Sequence, residues 1–184
     1  MTEWQAALWG VVICERMGEL ILAQRNARWM KQQGGYEIGR SHYPLFIVLH
    51  VFFLISLWIE AQSPPDWWFI PFGVFLLAQL LRFWVIRTLG KYWNTRIWVV
   101  PGQPIQKQGP YRYIRHPNYV VVIIELLTLP LVFQAYFTAL WTTLLNAYLL
   151  FKIRIPMEEE ALSQMSNYQE SMNAKGRLLP IGKK

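Results

Sequence analysis

From Val120 to Phe151 the chain runs for 32 residues with a single charged side chain, Glu125. A helix in water needs a polar face, and this run offers too little to make one. Crossing the hydrocarbon layer takes about 20 apolar residues, so the run is long enough to enter a membrane. The whole chain has the same bias: 54% of residues are hydrophobic and 16% are charged, against roughly 25% charged in soluble domains. These features predict an all-α integral membrane protein.

Five spans fit the pattern: Trp4 to Ala23, Tyr43 to Ala61, Trp67 to Leu89, Tyr119 to about Leu131, and about Ala135 to Ile155. Pro130 and the corner Phe133-Gln134-Ala135 divide the last apolar run into a tight helical hairpin. Residues 24–42 hold Arg25, Arg28, Lys31 and Arg40, whereas the connection at 60–66 holds Glu60 and Asp66 and no cation. Residues 87–117 hold six cations and no acid, and the tail from Lys152 is again basic. Basic connections thus alternate with non-basic ones. The positive-inside bias then places the N-terminus outside and the C-terminus in the cytoplasm of a multi-pass cell-membrane protein. Trp58, Trp67 and Trp68 flank the acidic connection and Trp93 and Trp98 the basic one, as interfacial belts do. Residues 1–184 read as one membrane-embedded domain, with three spans in 1–89 and a region with the hairpin and its flanking polar blocks in 90–184.

The formal charge is +7, but the cations sit between apolar runs, where topology signals belong, and no nucleic-acid partner is expected. The first segment lacks a basic leader and carries Glu15, Arg16 and Glu19, so it is expected to remain as a mature helix. The lone cysteine, Cys14, is expected to be a packed thiol. His42, His50 and His116 are scattered and show no metal-ligand spacing, so no metal is expected. His42 and His50 are expected to be hydrogen-bonded packing residues. Charges inside spans are costly. Arg16 is therefore expected to pair with Glu15 or Glu19, while Glu125 either pairs with Arg82 or faces a cavity.

Two polar blocks bracket the hairpin. The first is Gly109-Pro-Tyr-Arg-Tyr-Ile-Arg-His-Pro-Asn-Tyr119 and the second is Arg154-Ile-Pro-Met-Glu-Glu-Glu-Ala-Leu162. In the first, Arg112, Arg115 and His116 supply donors and three tyrosines supply rings with polar tips. Backbone N–H groups at the following helix start suit an anion. A basic loop touching lipid headgroups explains the same residues equally well. Arg154 and Glu158 share a face if the helix runs through Pro156; they serve either as an interfacial ion pair or as a pair that holds ligands. Beyond Pro156, residues Met157, Ala161, Leu162, Met165, Tyr168 and Met172 recur at helical spacing, and Gly176 would end an amphipathic helix. The chain has no P-loop, serine elbow, His-Glu-x-x-His or Gly-x-Gly-x-x-Gly.

Taken together, the two blocks resemble the isoprenylcysteine carboxyl methyltransferase family, whose members show Gly-x-Tyr-x-x-x-Arg-His-Pro-x-Tyr, a membrane hairpin, then Arg-x-x-x-Glu-Glu-x-x-Leu. The ending Gly176-Arg-Leu-Leu-Pro180 is similar as well. The resemblance covers about residues 87 to 180. It implies a membrane-embedded methyltransferase that uses S-adenosylmethionine at its cytoplasmic face, with a lipid acceptor entering between helices. By that resemblance the cofactor-binding residues are Gln103, Pro104, Ile105, Gln106, Tyr111, His116, Pro117, Asn118, Tyr119 and Glu158. Arg154 and Glu158 are the implied catalytic residues, with Arg154 meeting the acceptor. Many members carry a glycine two residues after the last tyrosine of the first block, where this chain has Val121. The pattern Arg16-x-x-Glu19, Arg25-Asn26, Trp29 and His42-Tyr43 is similar to a bacterial branch found with type III polyketide synthases, which O-methylates long-chain alkylpyrones. That likeness points to a lipidic enol or carboxylate as acceptor and to a polyketide synthase as pathway partner. Sterol reductases, which use NADPH, show a similar Arg-His-Pro-x-Tyr region. A membrane reductase and a non-catalytic membrane scaffold are the competing readings.

Overall fold

The computed structural model describes residues 2–164, 168, 172 and 175–180. In chain order it forms α1 (Glu3–Gln32), β1 (Tyr36–Ile38), α2 (Tyr43–Glu60), α3 (Phe69–Leu89), β2 (Ile97–Val99), α4 (Pro117–Val132), α5 (Tyr136–Leu149) and α6 (Ile155–Ser163). Short 3-10 turns cover Gly90–Tyr92 and Gly109–Arg112. The protein is mostly helical. The departure from an all-α expectation is the antiparallel pair β1–β2, which aligns Glu37 with Trp98. Three-residue strands carry too weak a periodic signal to be read from sequence.

Two stretches, Tyr43–Glu60 and Phe69–Tyr92, are long and apolar enough to cross a membrane, and Pro117–Val132 is apolar but shorter. Their outward faces carry Phe52, Ile59, Leu77, Leu80 and Phe83, all well exposed. A soluble monomer rarely presents so much contiguous apolar surface, so these faces fit a lipid environment. The inward faces form a core in which Leu49, Phe53 and Leu57 of α2, Phe75 of α3, Leu126 and Leu129 of α4 and Leu149 of α5 pack together.

The expected hairpin is present. α4 ends at Val132, and Gln134 takes a left-handed φ of 54° to reverse the chain. Phe133 and Ala135 donate their N–H groups to the Pro130 carbonyl at 3.0 and 2.9 Å. The Glu60 carboxylate accepts the N–H groups of Phe137 and Thr138 at 2.8 Å each. An acid at the positive end of a helix is stabilising, so the acidic connection after α2 caps the start of α5.

Two expectations change and a third holds. The first helix runs to Gln32, well past Ala23. Residues 24–32 are mostly good helix formers, and Asn26 fixes the extension by donating to the carbonyls of Trp93 at 2.7 Å and Gly90 at 3.3 Å. Arg25, Arg28 and Lys31 therefore ride on a helix rather than a loop. Cys14 is exposed, not packed, because the buried face of α1 is drawn by Val12, Glu19 and Ala23 instead. Pro156 stands in the first turn of a new helix, α6, as expected. A π-helical stretch, Leu150–Arg154, joins α5 to α6. Proline lacks an N–H and crowds the carbonyl four residues back, and a wider turn relieves both conflicts. The tail helix continues the described chain to Ser163, with Tyr168 and Met172 buried beyond it. Met165 lies outside the described residues.

Candidate active site

Gly109 opens the first block with a φ of 57°, and a Cβ there would lie 2.4 Å from Thr88 Oγ1. Only glycine combines that backbone with so close an approach to α3. The turn it makes carries Tyr111 inward and leads to His116, the residue before the first turn of α4. Pro117 then starts the helix where its missing N–H costs nothing.

The hairpin returns the second block to the first. Tyr119 donates its hydroxyl to Glu158, and Arg154 Nε donates to the Tyr119 oxygen at 3.1 Å. Arg154 also donates through Nη2 to the Thr95 carbonyl at 2.7 Å. Its remaining nitrogen, Nη1, makes no protein hydrogen bond among the described residues. His116 Nδ1 is 3.8 Å from Glu158 Oε2, and the His116 ring stacks on Tyr119 with centroids 5.3 Å apart.

The three consecutive glutamates have separate fates. Glu158 lines the cavity, Glu160 is exposed, and Glu159 ties the tail to the first block. Glu159 accepts from Arg115 Nη1 at 3.0 Å, His116 Nε2 at 3.3 Å and Arg177 Nη2 at 2.6 Å. Burial opposes its charge, but the hydrogen bonds from His116 and Arg177 and the nearby charges of His116 and Arg115 prevail and lower its pKa to about 2. Backbone bonds from Arg115 to Gly176 and from His116 to Arg177, both 3.0 Å, complete the strap. The sequence singled out Glu158 and the ending Gly176–Pro180 but missed Glu159. The available signal was that acid repeats at a helix start, each turned to a different side. For Tyr111, burial first and then the Glu158 charge push the phenol well above its usual pKa. It stays a neutral donor.

One cavity of about 420 Å³ runs through the site. Among the expected site residues, Gln103, Pro104, Ile105, Gln106, Tyr111, His116, Asn118, Tyr119, Arg154 and Glu158 all line it. Pro117 is buried and not part of the wall. The Gln103–Gln106 segment is held to α3 by Gln106, which donates to the Thr88 carbonyl at 3.0 Å. Asn118 contributes an Oδ1 that is buried without a hydrogen-bond partner among the described residues. Tyr43, whose hydroxyl is 3.1 Å from Thr95 Oγ1, and Phe46, 5.7 Å under the Arg154 guanidinium, extend the wall onto α2. The cavity continues between α1 and α2, where Met17, Leu20, Ile47 and Val51 line it and are also exposed on the outward surface.

Glu125 does not serve this site as a free carboxylate. Arg82 donates to both oxygens of Glu19 at 2.8 and 2.9 Å and, from Nε, to Glu125 at 3.0 Å. Gln79 also reaches Glu125 at 2.8 Å, and Arg16 pairs with Glu19 at 2.8 Å. His50 is hydrogen-bonded to the Phe46 carbonyl at 2.7 Å, as expected, but it also lines the cavity.

Comparison with known proteins places the chain in a family. The protein is 42% identical over 160 residues to the uncharacterized protein YpbQ of Bacillus subtilis strain 168, covering 85% of this chain and 95% of that one. It is 31% identical over 160 residues to an uncharacterized protein of Haemophilus influenzae, covering 84% and 92%. The model of the isoprenylcysteine carboxyl methyltransferase family matches residues 70–164, from the start of α3 through both polar blocks. The chain belongs to the isoprenylcysteine carboxyl methyltransferase family, a family of membrane methyltransferases that generally use S-adenosylmethionine.

Proposed function

We infer that this protein transfers a methyl group from S-adenosylmethionine to an oxygen of a lipophilic acceptor at the membrane. The observation that carries the reading is the single cavity: one end gathers Tyr111, His116, Asn118, Tyr119 and Glu158, and the other opens sideways between α1 and α2 among exposed apolar side chains. A water-soluble cofactor and a lipid can reach such a cavity from different sides.

The donor set fits the cofactor. S-adenosylmethionine supplies an electrophilic methyl on a sulfonium, together with an ammonium, a carboxylate and ribose hydroxyls. Glu158 would meet a cationic or hydroxyl group, Tyr111 would donate a hydrogen bond and Asn118 Oδ1 would accept one. His116 and the Asn118 N–H at the start of α4 would hold the carboxylate. The Gln103–Gln106 segment would close over the remainder. Arg154 would orient the nucleophilic oxygen through its open Nη1 and favour the deprotonated, anionic form. Methyl transfer is an in-line displacement, so holding donor and acceptor in line and excluding water could supply much of the rate.

Five spans, an outside N-terminus and a cytoplasmic C-terminus with the cofactor end of the cavity belong to the same proposal. The positive-inside bias and the hairpin support them. The acceptor proposed is an alkylpyrone-like enol or a lipid carboxylate, and the likeness of the N-terminal half to the polyketide-associated branch favours the enol and a synthase as pathway partner.

The test uses purified protein in lipid nanodiscs with methyl-labelled S-adenosylmethionine and a long-chain hydroxypyrone or a fatty acid. Label should enter the organic phase and should not do so with Glu158→Ala. Absence of transfer to either acceptor, together with displacement of the bound cofactor by NADPH, would overturn the reading in favour of a reductase.

A further inference from the structure

Asn146 is 0% exposed, and neither its Nδ2 nor its Oδ1 has a hydrogen-bond partner among the described residues. Yet it lines the cavity. A buried amide without partners is destabilising, and in an apolar helix nothing local offsets that. Thr138 and Thr142 on the same helix show the ordinary solution. Thr142 donates to the Thr138 carbonyl at 2.6 Å, and the Thr138 hydroxyl lies 2.7 Å from Glu60. Asn146 has no such outlet and faces the space a ligand would fill.

A second cavity-lining residue at a similar depth can be placed. Ser56 of α2 and Thr138 of α5 hold their hydroxyls 2.6 Å apart. From that contact, His50 lies six residues back along α2 and Asn146 eight residues forward along α5, toward the same end of the bundle. At a helical rise of about 1.5 Å per residue the two stand within about 3 Å of the same depth. His50 Nδ1 is 2.7 Å from the Phe46 carbonyl. A carbonyl only accepts, so Nδ1 carries the proton, and the neutral ring has Nε2 free as an acceptor. Asn146, Leu150 and Arg154 line the same cavity, with the amide further back along the chain toward α5 than the guanidinium.

We propose that Asn146 and His50 form a specificity site for a second oxygen function on the acceptor, beyond the oxygen that is methylated. The inference rests on the reading that the cavity takes a lipophilic acceptor. Asn146 Nδ2 supplies a donor, and Asn146 Oδ1 and His50 Nε2 supply acceptors. A carbonyl beside the methylated oxygen, as in a hydroxypyrone, would accept from Nδ2, and any further hydroxyl on the head would meet an acceptor, whereas a head with one oxygen leaves the amide unmet. Sites built around hydrogen bonds reject analogues that lack the group far more strongly than apolar pockets reject a missing methylene.

The experiment titrates full-length protein in nanodiscs, with and without S-adenosylhomocysteine, with a long-chain hydroxypyrone and with a phenol bearing the same alkyl chain. The wild type should bind the hydroxypyrone at least about tenfold more tightly than the phenol. Asn146→Leu should bring the two affinities within about threefold of each other, leaving the phenol and S-adenosylhomocysteine affinities unchanged. Asn146→Ser should keep part of the preference, and it decides the matter if the leucine variant does not fold. A wild type that binds both probes equally, or an Asn146→Leu protein that keeps the full preference, overturns the proposal. If S-adenosylhomocysteine fails to bind the wild type while the probe preference behaves as stated, the methyltransferase reading falls and the Asn146 site stands.

Discussion

Two arginines inside this bundle differ in how completely they are paired. Arg82 is 4% exposed and spends all three of its guanidinium nitrogens on Glu19 and Glu125. Arg154 is 8% exposed, shares two nitrogens with Tyr119 and Thr95, and keeps the third for the cavity. Both are buried charges, and the sequence marks them differently: Arg82 interrupts an apolar run and Arg154 opens the second polar block. What separates them is saturation. A fully paired buried charge locks helices together, and a partly paired one beside a cavity is available to a ligand.

The largest effect that would sharpen this contrast is on stability. Arg82→Met removes the buried cation between Glu19 and Glu125 and leaves Arg16 alone to face both, and removing one partner of a buried pair costs about 3–5 kcal/mol. The thermal midpoint in detergent should fall steeply. A midpoint unchanged by Arg82→Met would break the comparison at its structural end.

Arg154→Ala should do the opposite. It should leave the midpoint within a few degrees and lower methyl transfer by about hundredfold or more, as when one preorganised donor is lost. Equal losses of stability and rate in the two variants would erase the distinction between a structural and a functional arginine.

A smaller effect belongs to the turn end. Glu60→Gln removes the charged cap of α5 and should cost about 1 kcal/mol, read as a modest drop in midpoint with unaltered ligand affinity.

The smallest effect concerns Glu159. Its pKa is held near 2 in the folded protein, below the usual carboxylate value of 4.5. A depressed pKa contributes stability above the unfolded value, and that contribution is lost as pH falls through the folded one. Docking of the Gly176–Arg177 strap, followed by exchange of the His116 amide, should therefore weaken between about pH 4.5 and 2. Glu159→Gln should show weaker protection at neutral pH and no further loss across that window.

Much of the fold was legible because its signals are long. Apolar runs marked α2 to α5, Pro130 and the Phe133 corner marked the hairpin, and the two polar blocks marked one site. What escaped detection depends on partners far along the chain. The extension of α1 needs Asn26 to meet Trp93, and β1 finds β2 about sixty residues away. Glu159 could not be told from Glu158 and Glu160 until the tail was in place. Asn146 passed as one amide in an apolar run, because only the finished bundle shows that no group among the described residues answers it.

The central claim is that the hairpin brings His116 and Glu158 to one cofactor cavity. Calorimetric titration of S-adenosylhomocysteine into wild-type and Glu158→Gln protein in nanodiscs tests it most directly. The account predicts saturable binding at one site in the wild type and a loss of about tenfold to hundredfold in the variant, at an unchanged unfolding midpoint. No binding to folded wild-type protein, or equal binding to both, would contradict it.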